Sequence, residues 1–439
     1  MLTKQTLPLV LVLALFVSST SSQELSKLDR GRAQDILSGV AGDVRKHYYD
    51  PNFHGLDWNA KIAEAKRKID AAKTFNGAMS AIAALLGALD DTHTVFIPPE
   101  HAYRHDYGWK YQMIGQRCFV TRVRPKSDAE AKGIKPGDEV LSINGITLDR
   151  DDISTVQYVF SILRPQLELV VSLRDPAGNQ REVKAAAKMR ETKRLFDLTT
   201  ANGMTDIWNI WRQEETDEHL RRARWIERGD DLVILKLPEF SDYSAVQVAE
   251  MIGKARKHKA LILDLRGNPG GLVDVLQRLV GGMFDKDVKI GDRVGRKESK
   301  PQIAKTTHNP FTGKLIVLVD SQWASSAELF ARIMQIEKRG MVLGDRTSGS
   351  VMEAKAYFEH TGADTAVYYG ASITDADIIM SDGKSLEHAG VIPDEALMPT
   401  AKDLANNLDP VLAHAAELAG VKLTPEEAGK LFPYEWPPE

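Results

Sequence analysis

Two turns in this chain set residue types that acyl-transfer chemistry uses beside the start of a helix. The first is Asp264-Leu265-Arg266-Gly267-Asn268-Pro269-Gly270-Gly271. Closely spaced glycines there let backbone N–H groups point at a ligand next to a helix N-terminus. A phosphate loop would need Gly-Lys-Ser or Gly-Lys-Thr to follow, and neither does. Taken alone, the turn is more often a tight connection than a site. The second is Val319-Asp320-Ser321-Gln322-Trp323-Ala324-Ser325-Ser326-Ala327-Glu328. Ser325 stands three residues before Glu328, which is the spacing of a capping box. It is also a serine at the carboxyl end of a strand, where a glycine turn and a helix N-terminus could stabilise an oxyanion. A third feature is the histidine loop Asp90-Asp91-Thr92-His93-Thr94, which stops a helical run ahead of Pro98-Pro99. Taken alone, types and spacing make Ser325 a cap rather than a nucleophile, and a lone His93 after a helix is more often a surface or capping residue.

The elements that must position these residues divide the chain. Residues 1–22 read as an export signal: Lys4, an apolar run over 7–17 broken only by Pro8, then a small polar stretch. Those 11 residues fall short of the ~20 that span a bilayer, and no cysteine follows to take a lipid anchor. The expectation is cleavage after Ser22 and a periplasmic or secreted mature chain without a membrane span. A retained anchor is the alternative. Residues 23–106 carry apolar residues at helical spacing over 35–45, 58–72 and 78–89, which predicts a helical N-terminal domain ending in the histidine loop. From 107 to 188 the pattern changes to short β-branched runs at 118–123, 139–143 and 167–173, divided by Gly, Pro and Asp turns. Residues 189–230 read as a connecting element rich in charge and tryptophan (Trp208, Trp211, Trp225). Across 231–400, strands at 232–237, 260–265, 315–319 and 340–343 alternate with helices at 245–257, 272–284 and 326–338. That alternation predicts right-handed crossovers and a mainly parallel sheet with its chemistry at the strands' carboxyl ends. Residues 401–439 read as a helical tail.

Composition narrows the function. The 57 basic and 61 acidic residues give a net charge of -4 without long blocks of one sign, so the footprint of a nucleic-acid binder is missing. The single cysteine, Cys118, excludes an intrachain disulfide and a cysteine zinc site. No metal or organic cofactor is implied.

The run from Ser127 through Gly133 and Pro136-Gly137-Asp138 to Asn144-Gly145 gives a short capped helix, a turn, a strand and a hairpin. It closely resembles a PDZ domain of the bacterial protease type over 107–188. That resemblance implies reception of polypeptide tails by strand addition, although the stretch Met113-Ile114-Gly115 carries no signature of a carboxylate-holding loop. Taken with the motif at 264–271, the Ala-Ser-Ser-Ala-Glu turn at 324–328 and the export signal, the chain from about 90 to 393 resembles the C-terminal processing and tricorn-core serine peptidase family. The resemblance implies Ser325 as nucleophile, with oxyanion donors from Gly270 or Gly271 and from Ser326. One branch of the family uses a lysine in a Gly-Lys-Gly turn, but Ser350 occupies that place here and Lys355 is not expected to substitute. The other branch uses a histidine after an N-terminal helix and a late glutamate, which match His93 and Glu387. The implied site is therefore Ser325-His93-Glu387, with Glu387 fixing the tautomer of His93. Pairing of Glu387 with Arg346, or a role for His388, are the alternatives.

The expected architecture is α/β: a mainly parallel-sheet peptidase core with a PDZ domain and a small helical N-terminal domain. The expected activity is that of an exported serine endopeptidase acting on unfolded or C-terminal polypeptide segments. Two rivals remain. One is an inactive relative that binds peptides or apolar ligands, since some relatives with this core serve as retinoid carriers. The other is a PDZ-based adaptor on a structural core.

Overall fold

The computed structural model describes residues 25–191, 222–322, 324–362 and 366–436. The export-signal reading at 1–22 and the tryptophans Trp208 and Trp211 lie outside the described residues.

The second half of the chain is built on a six-stranded sheet. Its order is Arg224–Arg228, Leu232–Lys236, Ala260–Asp264, Lys314–Val319, Met341–Gly344 and Glu395–Ala396. The first strand runs antiparallel to its neighbour, and all later neighbours are parallel. Successive side chains on a strand point to opposite faces, and here both faces are covered. Val233, Leu261 and Val317 pack with the helices Asp242–Ala255, Val273–Gly281 and Ser326–Ile336. Ile234, Ile262 and Ile316 pack instead against Val411 and Leu412 of the helix Pro410–Leu418. Two-sided burial is why these strands read as unbroken apolar runs. It also makes the C-terminal helices a second layer of the core sheet.

A five-stranded antiparallel sheet, absent from the sequence reading, joins the two halves of the chain. Its order is Val95–Ile97, Val367–Met380, Val288–Gly295 and Ser299–Ala304, with Glu353–Thr361 also paired to the long strand Val367–Met380. The strand Val95–Ile97 leaves the histidine loop and pairs with Gly370, Ala371 and Ser372, so the loop is fastened to the later half of the chain.

The N-terminal helices Lys27–His47, Trp58–Ala71 and Phe75–Gly87 are each capped by a side chain, from Ser26, Asp57 and Thr74. The first begins at Lys27, behind its Ser26 cap and eight residues ahead of the apolar spacing that revealed it. Ile36, Val40, Ile82 and Leu86 share one core with Val156 and Phe160 of the small β-domain and with Tyr369 and Ile373 of the long strand. That domain has the antiparallel order Trp109–Ile114, Arg117–Val123, Glu139–Ile143, Glu168–Arg174 and Gln180–Ala186. The short helices Asp128–Ala131 and Ile153–Tyr158 complete it. Tyr103–Asp106 pairs with Lys188–Glu191 where the chain enters and leaves. No helix among the described residues is long and apolar enough to cross a membrane.

Candidate active site

The carboxyl ends of three adjacent parallel strands bring three loops together: the glycine turn after Asp264, the serine turn after Val319 and the segment after Gly344. In the serine turn, Ser325 adopts φ 58 and ψ -130 immediately before the helix Ser326–Ile336. A residue with a β-carbon in such a region costs about 1–3 kcal/mol, and strain of this kind gathers at working sites. The capping box suggested by the spacing does not form, because the Ser325 hydroxyl caps nothing. Glu328, fully buried, turns the other way and accepts the N–H groups of Gly349 (2.8 Å) and Ser350 (3.0 Å). Burial pushes the Glu328 carboxyl up to about 7, against the pull of its bonds to Thr347, Gly349 and Ser350. The Ser325 N–H donates to the Ser350 carbonyl at 2.5 Å. Backbone groups thus hold the strained turn, and the Ser325 hydroxyl makes no hydrogen bond among the described residues.

Charged groups anchor the glycine turn. The Arg266 guanidinium contacts both oxygens of Asp264 (3.0 and 2.9 Å) and both of Asp409 (2.9 and 2.7 Å). Despite burial, Arg266 and Lys236 hold the Asp264 carboxyl well below the usual range. The Asn268 amide bridges the Leu237 carbonyl (2.9 Å) and the Gly270 N–H (2.8 Å). Gly270 sits at φ 87, and a β-carbon there would lie 2.6 Å from Ser325 Cβ and from the Ala324 carbonyl. The glycine and serine turns are therefore in contact. Asn268 takes the Gly270 N–H, whereas the N–H groups of Gly271 and Ser326 have no partner among the described residues. The Ser326 hydroxyl donates to the Gly271 carbonyl (2.8 Å) and fixes that peptide. Of the two glycines proposed as oxyanion donors, the geometry favours Gly271, with Gly270 serving as the contact that brings it close.

The histidine loop is tied down by Asp91. One of its oxygens accepts the N–H of His93 (3.0 Å), the N–H of Thr94 (2.6 Å) and the Thr374 hydroxyl (2.7 Å). Glu387 reaches this loop from the late segment. Its Oε1 accepts the Thr92 N–H (2.8 Å), and its Oε2 accepts the Thr92 hydroxyl (3.1 Å) and the Val351 N–H (2.9 Å). No bond joins Glu387 to His93 or to Arg346 among the described residues, which corrects the expectation of direct contact. Thr92 Oγ1 stands between them, 2.9 Å from His93 Nδ1. The Ser350 hydroxyl donates to the same oxygen at 2.9 Å and lies 3.4 Å from Nδ1.

These contacts fix the protons. Thr92 has one hydroxyl proton and gives it to the carboxylate, so its lone pairs accept from Ser350 and from His93 Nδ1–H. Nε2 is then the basic nitrogen of the ring. Burial lowers the His93 pKa, opposed by Asp91, and burial raises that of Glu387. Lys355 is engaged elsewhere, with Nζ 2.6 Å from Asp375 in a bond that raises its pKa. Thr92 and Ser350 were not read as working residues; their only sequence signal was one hydroxyl beside the histidine and another in the place of a lysine.

Residues 231–397 match peptidase family S41, and residues 119–172 match a PDZ domain. Residues 231–397 are thus a serine peptidase domain of family S41. The carboxyl-terminal-processing protease of Picosynechococcus sp. is 25% identical over 382 residues, covering 83% of each chain. The carboxy-terminal processing protease CtpA of Bacillus subtilis is 24% identical over 76% of this chain and 67% of its own. Among solved structures, mature CPAF superposes with a TM-score of 0.63 at 17% identity, over 86% of this chain and 95% of that one. The photosystem II D1 C-terminal processing protease gives a TM-score of 0.51 at 19% identity, over 85% and 97%. The fold is thus that of this peptidase group, and the chain, with its S41 and PDZ domains, is a homologue of carboxyl-terminal processing serine proteases.

Proposed function

We propose that the protein is an exported serine endopeptidase that cleaves unfolded or C-terminal polypeptide segments, with Ser325 as nucleophile, His93 as base and Glu387 orienting His93 through Thr92. The order of protons at Thr92 carries this reading, because it leaves His93 Nε2 bare for the Ser325 proton. As Ser325 Oγ bonds to the scissile carbonyl carbon, Nε2 takes the hydroxyl proton, and the N–H groups of Gly271 and Ser326 receive the developing oxyanion. The imidazolium then protonates the departing amine. Water, deprotonated by the same nitrogen, attacks the acyl carbon; the bond to Ser325 Oγ breaks, and Nε2 returns its proton to that oxygen. The PDZ domain presents the end of the substrate chain, and a periplasmic or secreted location follows from removal of residues 1–22.

Two measurements test this. An alkyl fluorophosphonate should label the wild-type chain at Ser325, and Ser325→Ala should neither label nor hydrolyse fluorescein-labelled casein while keeping its melting temperature within a few degrees. Undiminished hydrolysis by Ser325→Ala would sink the proposal. Export predicts that the mature protein begins near Gln23 when its N-terminus is sequenced.

A further inference from the structure

His388 is a second unusual residue at this site. It follows Glu387 and holds φ 58, a left-handed conformation that glycine would adopt without strain. Its N–H donates to the Gly349 carbonyl (2.7 Å). The ring Nε2 lies 2.9 Å from the Asp90 carbonyl and 3.8 Å from Glu387 Oε1. Asp90, also in the left-handed region at φ 54, opens the loop that carries Thr92 and His93. Two segments almost 300 residues apart in sequence, 90–94 and 385–391, must therefore meet for the base to be oriented. Between them Thr92 contacts Glu387, and His388 contacts Asp90. A carbonyl can only accept, so Nε2 of His388 carries the proton and donates it to Asp90.

We propose that His388 is a positioning residue whose Nε2–H holds the Asp90 carbonyl and thereby seats the Thr92-His93 loop on Glu387. Backbone strain at 388 is tolerated because the ring at that position closes the loop. The inference rests on the reading that His93 and Glu387 serve Ser325.

The test compares full-length His388→Gly and His388→Gln, read by fluorophosphonate labelling (maximal rate and half-saturating concentration) and by thermal melting. Glycine relieves the strained φ and deletes the donor, so its melting temperature should match or exceed wild type. Its maximal labelling rate should fall about tenfold with half-saturation unchanged. Glutamine can set an amide N–H near the place of Nε2 and should recover most of that rate. Wild-type labelling by His388→Gly, or a glutamine variant as slow as glycine, overturns the proposal. His93→Ala and Glu387→Gln belong in the same series. If both are far slower than wild type, the parent reading stands and the His388 variants decide the proposal alone. If both label at the wild-type rate, the parent reading falls and takes this proposal with it.

Discussion

At the scale of single residues, the hydroxyl of Thr92 decides which way His93, the proposed base, points. Its proton goes to Glu387, and its lone pairs receive His93 Nδ1–H. Thr92→Val removes this link and leaves Nδ1–H with only the 3.4 Å approach of the Ser350 hydroxyl. A loss of at least 100-fold in kcat/KM is expected, while Thr92→Ser should stay near wild type; equal activity of the valine and serine variants would contradict the relay. Glu387→Gln should cost more, because an amide N–H facing Thr92 Oγ1 reverses the hydroxyl and selects the wrong tautomer. Loss of an orienting carboxylate in a related triad costs about 10⁴. The pH profile follows from burial, which lowers the His93 pKa. A base that loses its proton more readily stays neutral to lower pH, so kcat/KM should hold as pH falls through about 6.5 and decline only below it. An acid limb centred above 6.5 would contradict that environment. Ser325, His93 and Glu387 stand out as candidates in the sequence only jointly, as motifs of one resemblance. Thr92 does not, since a threonine beside a histidine announces nothing until the carboxylate beyond it is seen.

At the scale of elements, periodicity showed the parallel strands and their helices to within a few residues, because burial on both faces leaves unbroken apolar runs. It did not show the antiparallel sheet. None of the nine residues of Glu353–Thr361 is buried, and its charged sequence has no alternation to read. That sheet matters for the site, since Val95–Ile97 carries the histidine loop onto it. Turn contacts were equally hidden. The glycine turn and the serine turn are adjacent only because neighbouring strands end together, and the space for a β-carbon at Gly270 is already filled by Ser325 Cβ and the Ala324 carbonyl at 2.6 Å. Gly270→Ala must therefore move backbone as well as accept φ 87. It should lower kcat by two orders of magnitude or more while the sheet beneath stays folded, as circular dichroism would report. Glu328 joins a third loop to this pair through the N–H groups of Gly349 and Ser350. Its raised pKa gives a stability signature. Between about 4.5 and about 7 the folded chain holds a proton that the unfolded chain has lost, so this residue's contribution grows as pH falls through that window and vanishes above it. In Glu328→Gln that slope should disappear from melting temperature measured against pH. A slope equal to wild type would show that another group produces it.

At the scale of the whole molecule, the PDZ domain is fastened to the loops of the site rather than tethered loosely. Arg150 donates to the Gly115 carbonyl (2.6 Å) inside its own domain, and across the interface to the Arg346 carbonyl (2.8 Å) and Asp345 Oδ2 (2.5 Å). Gly115 N–H reaches the same carboxylate at 2.8 Å, and the Ser321 hydroxyl bonds to the Met113 carbonyl. The C-terminal segment also clasps the domain, with the Arg122 guanidinium over the Tyr434 ring and that of Arg124 over the Trp436 ring. The Arg150 and Asp345 side chains are only 7% and 11% exposed, so the pair is desolvated and removing one partner strands the other. Breaking such a buried pair costs about 3–5 kcal/mol. Arg150→Ala should accordingly melt well below wild type. Asp345 and Arg346 lead directly into Thr347–Val351, whose Ser350 and Val351 contact Thr92 and Glu387. The same substitution should thus lower kcat on labelled casein below the temperature at which the protein melts, with KM changed less. Arg150→Lys keeps the charge but not the two-pronged geometry that grips Asp345 and the Arg346 carbonyl together. It should recover more of the melting temperature than of kcat. If Arg150→Ala loses stability yet turns over casein at the wild-type rate, the interface holds the two domains together without bearing on the order of the catalytic loops.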